Sequence, residues 1–255
     1  MTNLKTKLLK NELIVGSWIT IGHQSIVEIM CTGGFDWLTL DLEHSVIELS
    51  QAQQMIAHIK NNGVSALVRV SKNEEVIIKR VMDAGADGVI VPMVNSASDA
   101  EQAVSFVKYP PLGKRGVGLA RAQQYGIGFD TYKEWLQQES VVIAQIEHID
   151  AANNIEEILQ VDGIDGIIIG PYDLSGSMGF PGEYHRDDVK AAIKHVEQTC
   201  ISCKKPLGFH VIQPDYQLLA DKVNTGYTFL AFSLDFFFLG DKVRTEMEKL
   251  KSSLL

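Results

Sequence analysis

Val141-Val142-Ile143-Ala144-Gln145-Ile146-Glu147 and Gly166-Ile167-Ile168-Ile169-Gly170-Pro171-Tyr172-Asp173 are short apolar, β-branched runs, each ending in a carboxylate. Runs of this kind mark strands buried on both faces of a parallel sheet. Ala151 to Gln160 lies between them and reads as a helix, so the unit is β-α-β with two adjacent parallel strands. Glu147 and Asp173 are therefore expected together at the carboxyl end of the sheet, where such folds bind ligands. Paired carboxylates suit a hard divalent cation such as Mg2+ or Mn2+, which leaves positions open for water and substrate. A helix cap at Glu147 and a turn at Asp173 are the purely structural alternative.

Working outward, the same alternation runs through the chain. Strand-like runs fall at Val15 to Trp18, Trp37 to Asp41, Ala66 to Val70, Gly88 to Met93, Leu207 to Val211 and Tyr227 to Asp235. Helix-like stretches separate them, stopped by Gly33-Gly34, Asn62-Gly63 and Gly85. Eight strands alternating with helices predict an α/β fold, the (β/α)8 TIM barrel, as one domain with the barrel over about 14–240. An open doubly wound sheet is the alternative, but no Gly-x-Gly-x-x-Gly follows the first strand. Lys108 to Trp135 breaks the rhythm. Rich in Pro and Gly, it reads as a lid or binding loop at the carboxyl end of the barrel.

Composition narrows the function. Among 255 residues, 45% are hydrophobic and 22% charged, as in ordinary soluble domains. A net charge of −9 without a basic cluster argues against nucleic acid. No apolar run reaches membrane-spanning length, and Met1 to Glu12 lacks the apolar core of a signal peptide. Three cysteines in helix-like context suit a reducing cytoplasm; Cys200 and Cys203 form a lone C-x-x-C with no second pair to complete a zinc site.

Six motifs then occur in a telling order: Asp41-x-Glu43-His44; Arg69; Asp83-Ala84-Gly85-Ala86 with Val91-Pro92-Met93-Val94; Tyr109-Pro110-Pro111-x-Gly113-x-Arg115-Gly116-Val117-Gly118; Gln145-Ile146-Glu147; and Gly170-Pro171-x-Asp173-Leu174-Ser175. With these, the chain resembles the class II, metal-dependent pyruvate aldolases of the HpcH/HpaI aldolase/citrate lyase family. That group includes 4-hydroxy-2-oxoheptanedioate and 2-dehydro-3-deoxyglucarate aldolases. The resemblance spans about Gly16 to Leu239.

The resemblance implies reversible cleavage of a 4-hydroxy-2-oxo acid to pyruvate and an aldehyde. It implies Glu147 and Asp173 as ligands of Mg2+, Mn2+ or Co2+, with Gln145, Tyr172, Asp173 and Arg69 holding the 2-oxo acid. His44 would be the base, Arg69 the enolate stabiliser, and Asp83, with Asp41 close by, would raise the basicity of His44. Because Asp83 precedes its strand, it is expected either at a neighbouring subunit's site or in unusual local geometry. A homotrimer or homohexamer is implied, with a helix of about 241–255 exchanged between subunits; Val243, Met247 and Leu250 give that tail an apolar stripe. The chemistry is coherent. An enolate needs fixed positive charge at its oxygen, which a cation and a guanidinium supply. Histidine moves protons near neutrality. Malyl- or citryl-CoA lyases and a non-catalytic 2-oxo-acid-binding barrel are the alternatives. Bulky Tyr172 and the apolar run Phe236-Phe237-Phe238 distinguish this sequence, while His210 and Asp235 read as pocket wall or structure.

Overall fold

The computed structural model describes residues 3–254. A short helix α1 (Leu4–Leu9) opens the chain, capped by the Asn3 side chain, which accepts from the Thr6 amide at 2.7 Å. Strands and helices then alternate: β1 (Ile14–Ile19), α2 (Gln24–Cys31), β2 (Trp37–Asp41), α3 (Leu49–Asn61), β3 (Ser65–Arg69), α4 (Glu75–Asp83), β4 (Gly88–Val91) and α5 (Ala97–Val107). After the irregular excursion come α6 (Phe129–Gln138), β5 (Val141–Ile146), α7 (Ile149–Asn153), α8 (Ile155–Gln160) and β6 (Gly166–Ile169). The last elements are α9 (Pro171–Ser177), α10 (Asp187–Ser202), β7 (Leu207–Val211), α11 (Tyr216–Asn224), β8 (Phe229–Leu234) and α12 (Asp235–Leu254). All eight strands pair in parallel and close a barrel in sequence order, β1 against β8. The expected TIM barrel is the fold.

Strands buried on both faces build two layers of core. Trp37, Leu67, Ile90, Ile143, Ile168 and Phe229 point into the barrel, while Leu40, Val68, Val91, Ile146 and Ile169 pack against the helices. Each such side chain contributes about 1.5–3 kcal/mol on full burial. The inner layer admits Trp37 stacked on Phe229, ring centroids 4.5 Å apart, because Gly16 leaves the space. A Cβ there would lie 2.1 Å from the Trp37 ring. Leu4 and Leu8 of α1 join this layer from below, with Lys5 paired to Asp165 and Lys7 to Asp36. The floor of the barrel is thereby plugged.

Three expectations are corrected. The single helix Ala151 to Gln160 is two short helices, α7 and α8, divided at Asn154. The last helix begins at Asp235 rather than 241, because the Phe run is helical. The excursion lies at the amino end of the barrel, since it follows a helix and precedes a strand. It is anchored there: Lys108 donates to the carbonyl of Leu136 at 2.6 Å, and Arg121 to that of Ala84 at 2.9 Å. It cannot cover the carboxyl end of its own barrel.

Candidate active site

Asp41 and Arg69 are the last residues of β2 and β3 and stand in register. Buried Asp41 accepts from Arg69 Nε at 3.0 Å and Nη2 at 2.6 Å, and from the amides of Glu43 and His44 at 3.0 and 3.2 Å. Burial alone would raise its carboxyl; the hydrogen bonds and charge of Arg69, with the two amides, outweigh that and hold it below the usual range. The guanidinium also lies 4.4 Å over the Trp18 ring, and Trp18 stacks on His210 at 5.1 Å. Asp41 is thus the anchor of Arg69 and of the loop carrying His44. The His44 ring itself projects from that loop, largely exposed.

Across the mouth, Glu147 follows β5 and is buried. Its Oε1 accepts from the Met93 amide at 2.8 Å, and its Oε2 accepts from Gln145 Nε2. Met93 is left-handed (φ 53°), an uncommon conformation for a side chain of this size, and that conformation aims its amide at Glu147. Gly170 leaves room for the carboxylate: a Cβ there would meet Glu147 Oε2 at 3.2 Å. Burial raises the Glu147 carboxyl; the two donors and Arg69 oppose this, and the charge of Asp173 adds to it. Asp173 is not at a strand end as expected. β6 stops at Ile169, Pro171 starts α9, and Asp173 sits exposed in its first turn. No hydrogen bond reaches its carboxylate among the described residues. Tyr172 beside it is exposed and packs on Tyr184, centroids 5.1 Å apart.

The charge of Asp173 thus reaches Glu147, whose carboxylate is held by two donors, while no hydrogen bond among the described residues engages Asp173. Among the described residues, no group of three or more His, Cys, Asp and Glu is arranged to hold an ion. A pair of carboxylates fits a hard cation that keeps water and substrate oxygens in its remaining positions, and does not fit a closed zinc site. Gln145 Oε1 is buried without a partner, a further oxygen at this spot awaiting a donor or cation.

A cavity of about 880 Å3 opens here, with Trp18, Arg69, Gln145, Asp173 and His210 in its wall. His210 Nε2 lies 3.0 Å from the Ser233 carbonyl, to which it must donate. Burial, with Arg69 nearby, pushes the ring down to about 4 despite that bond and the charge of Asp41. Ser233 is left-handed (φ 52°), next to the register shift between β1 and β8, and also accepts from Ser17 Oγ at 3.0 Å. Asp235 is structural: it accepts from the Thr20 and Ile21 amides at 2.9 and 2.7 Å and starts α12. Cys200 is buried in α10, and that burial, with Cys203 adding, pushes its thiol up to about 12.

Asp83 is the expected site residue that this chain does not bring in. It ends α4 at the amino end of the barrel, opposite His44. There it lies 3.8 Å from Arg115, whose guanidinium is fully buried between Tyr109 and Tyr132. Burial raises the Asp83 carboxyl, with Arg115 and Lys79 opposing. Glu43, which had no assigned role, does enter the site; its signal was its position between Asp41 and His44.

The chain is similar to known aldolases. The chain is 36% identical to a hydroxypyruvate/pyruvate aldolase of Sagittula stellata over 91% of this chain and 90% of that one. It is 33% identical to a 2-keto-3-deoxy-L-rhamnonate aldolase of Escherichia coli, over 99% and 94%. A solved HpcH/HpaI aldolase/citrate lyase family protein from Burkholderia cenocepacia superposes with a TM-score of 0.92 at 28% identity, covering 98% of this chain and 100% of that one. The family model HpcH/HpaI aldolase/citrate lyase matches residues 15–239, and the chain belongs to that family.

Proposed function

We propose that this protein is an aldehyde-lyase that reversibly cleaves a 4-hydroxy-2-oxo acid to pyruvate and an aldehyde. The observation that carries the reading is the pairing of Glu147 and Asp173 opposite an Arg69 locked by Asp41. The activities named for the aldolase relatives point the same way. A divalent cation held by Glu147 and Asp173 supplies, when bound, a Lewis acid at the substrate's carbonyl oxygen. Arg69 presents Nη1 as a fixed donor toward the charge that develops on that oxygen. Gln145 holds Glu147 and gives the 2-oxo acid an amide to bind. A ring nitrogen of His44 takes the proton from the 4-hydroxyl as the carbon–carbon bond breaks, and returns a proton to the enolate carbon.

The protein also acts as a homo-oligomer in this reading. Val243, Met247 and Leu250 of α12 are about half exposed in the single chain and need a partner surface. In such an assembly the Asp83 end of one barrel serves the site of another copy. Pyruvate release from a panel of 4-hydroxy-2-oxo acids tests the reaction. Release from at least one member under added Mg2+ or Mn2+ is expected, and none from any member counts against it.

A further inference from the structure

Glu43 has no task in the chemistry above, yet it occupies its centre. Its Oε2 is buried and has no hydrogen-bond partner among the described residues. That oxygen lies 3.2 Å from Arg69 Nη1 and 3.9 Å from His44 Nε2. Asp41 takes the Nε and Nη2 edge of Arg69, so Glu43 meets Nη1, whose second N–H serves the substrate oxygen in the aldolase reading. One carboxylate oxygen thus stands between the guanidinium and the imidazole. No other acid of the same described chain lies within 4.0 Å of the His44 ring.

We propose that Glu43 is a positioning residue for the aldol step: it faces His44 Nε2, leaves Nδ1 for the substrate hydroxyl, and balances the imidazolium that forms. This rests on the aldolase reading. In cleavage, the 4-hydroxyl O–H breaks as N–H forms at Nδ1. The C3–C4 bond breaks, its electron pair passes into the pyruvate enolate, and the aldehyde C=O forms. The same proton then goes from Nδ1 to C3, giving the pyruvate methyl group. A carboxylate beside the second ring nitrogen fixes the tautomer and stabilises the charged ring, as carboxylate–histidine pairs do elsewhere. Burial pushes the Glu43 carboxyl up to about 7, with Glu147, Asp41 and Asp173 adding, and the guanidinium of Arg69 is what favours its charged form beside His44. These four groups and His44 are the charged and titratable neighbours it faces.

The test compares Glu43→Gln and Glu43→Asp with wild type in the full-length, metal-loaded enzyme, on a substrate that wild type cleaves. Glu43→Gln keeps the shape without the charge and should lower kcat about 10- to 100-fold while KM stays within about threefold. Glu43→Asp keeps the charge and should recover part of that loss. The acid limb of the kcat–pH profile should shift between wild type and Glu43→Gln, because the charge beside the base is removed. A Gln variant with kcat within about twofold of wild type overturns the proposal. So does a rise in KM matching the fall in kcat with Asp no better than Gln, which would mean a purely structural role through Arg69. Should Glu43→Gln fail to fold, Glu43→Asp decides: a lowered kcat at constant KM supports the role, and a kcat within about twofold of wild type overturns it. Absence of cleavage by wild type on every substrate overturns the aldolase reading instead.

Discussion

Arg69 meets Asp41 edge to edge, with Nε 3.0 Å from Oδ1 and Nη2 2.6 Å from Oδ2, and the Trp18 ring lies 4.4 Å beneath the same guanidinium. Only a planar fork satisfies both contacts, so lysine is not a conservative replacement here. Arg69→Lys should bind metal and pyruvate but lose about 10²–10³ in kcat, the scale for removing one fixed donor to a developing oxyanion. Steady-state kinetics beside methyl-proton exchange of pyruvate followed by NMR would separate binding from chemistry. A kcat within tenfold of wild type would remove Arg69 from the enolate step. Asp41→Asn removes the two-point partner of Arg69, leaves Glu43 as its remaining acid, and should lower the denaturant midpoint of unfolding.

Metal dependence is read without relying on activity alone. Mn2+ should raise the melting temperature of wild type by binding the folded state, and should leave the Glu147→Ala, Asp173→Ala double variant unchanged. Chelation should abolish cleavage, and Mg2+, Mn2+ or Co2+ should restore it. Full activity in metal-free protein, or borohydride trapping of pyruvate on a lysine, would sink the class II assignment.

Acid stability should depend on His210. Its folded value of about 4 lies below the about 6.5 of an unfolded histidine, so the unfolded chain binds more protons between those limits. Stability from this residue is complete above about pH 6.5 and is lost as pH falls toward about 4. Denaturant midpoints for wild type and His210→Gln should differ most near neutrality and converge on acidification. A gap independent of pH would mean that the ring is not held neutral.

Deleting the helix beyond Gly240 should lower the assembled mass more than it perturbs the barrel, because only Asp235 of α12 is buried in the single chain. Light scattering of the truncated protein reads this directly. An unchanged mass would count against an exchanged helix.

The barrel was legible because its strands carry their own signal. Trp37–Asp41 and Leu207–Val211 fall where the apolar runs predict. The plug α1 and the excursion helix α6 were not legible. In α1 only Leu4 and Leu8 are apolar core residues within a lysine-rich stretch, and in α6 Tyr132 and Leu136 lie inside a Pro- and Gly-rich segment. Gly and Pro density identified the excursion but not which end it caps; the helix before it decides that. In the site, the residue types of Glu147, Asp173 and Arg69 were readable, whereas the left-handed turns at Met93 and Ser233 were not, since neither residue type favours φ > 0. Glu43 was hidden for another reason: its role lies in two distances, to Arg69 and to His44, that only the folded loop creates.

The plug formed by α1 bears on the order of events in turnover. With Leu4 and Leu8 filling the floor and Lys5 tied to Asp165, the described residues close the amino end of the barrel, and the cavity opens at the carboxyl end. Gln145 and Glu147 lie buried at the depth of that entrance, while His44 stands exposed at its rim. On the aldolase reading, the pyruvate half of the substrate should enter first and leave last, with the aldehyde departing ahead of it. Cleavage should follow an ordered sequence, with pyruvate as a competitive and the aldehyde as a noncompetitive product inhibitor.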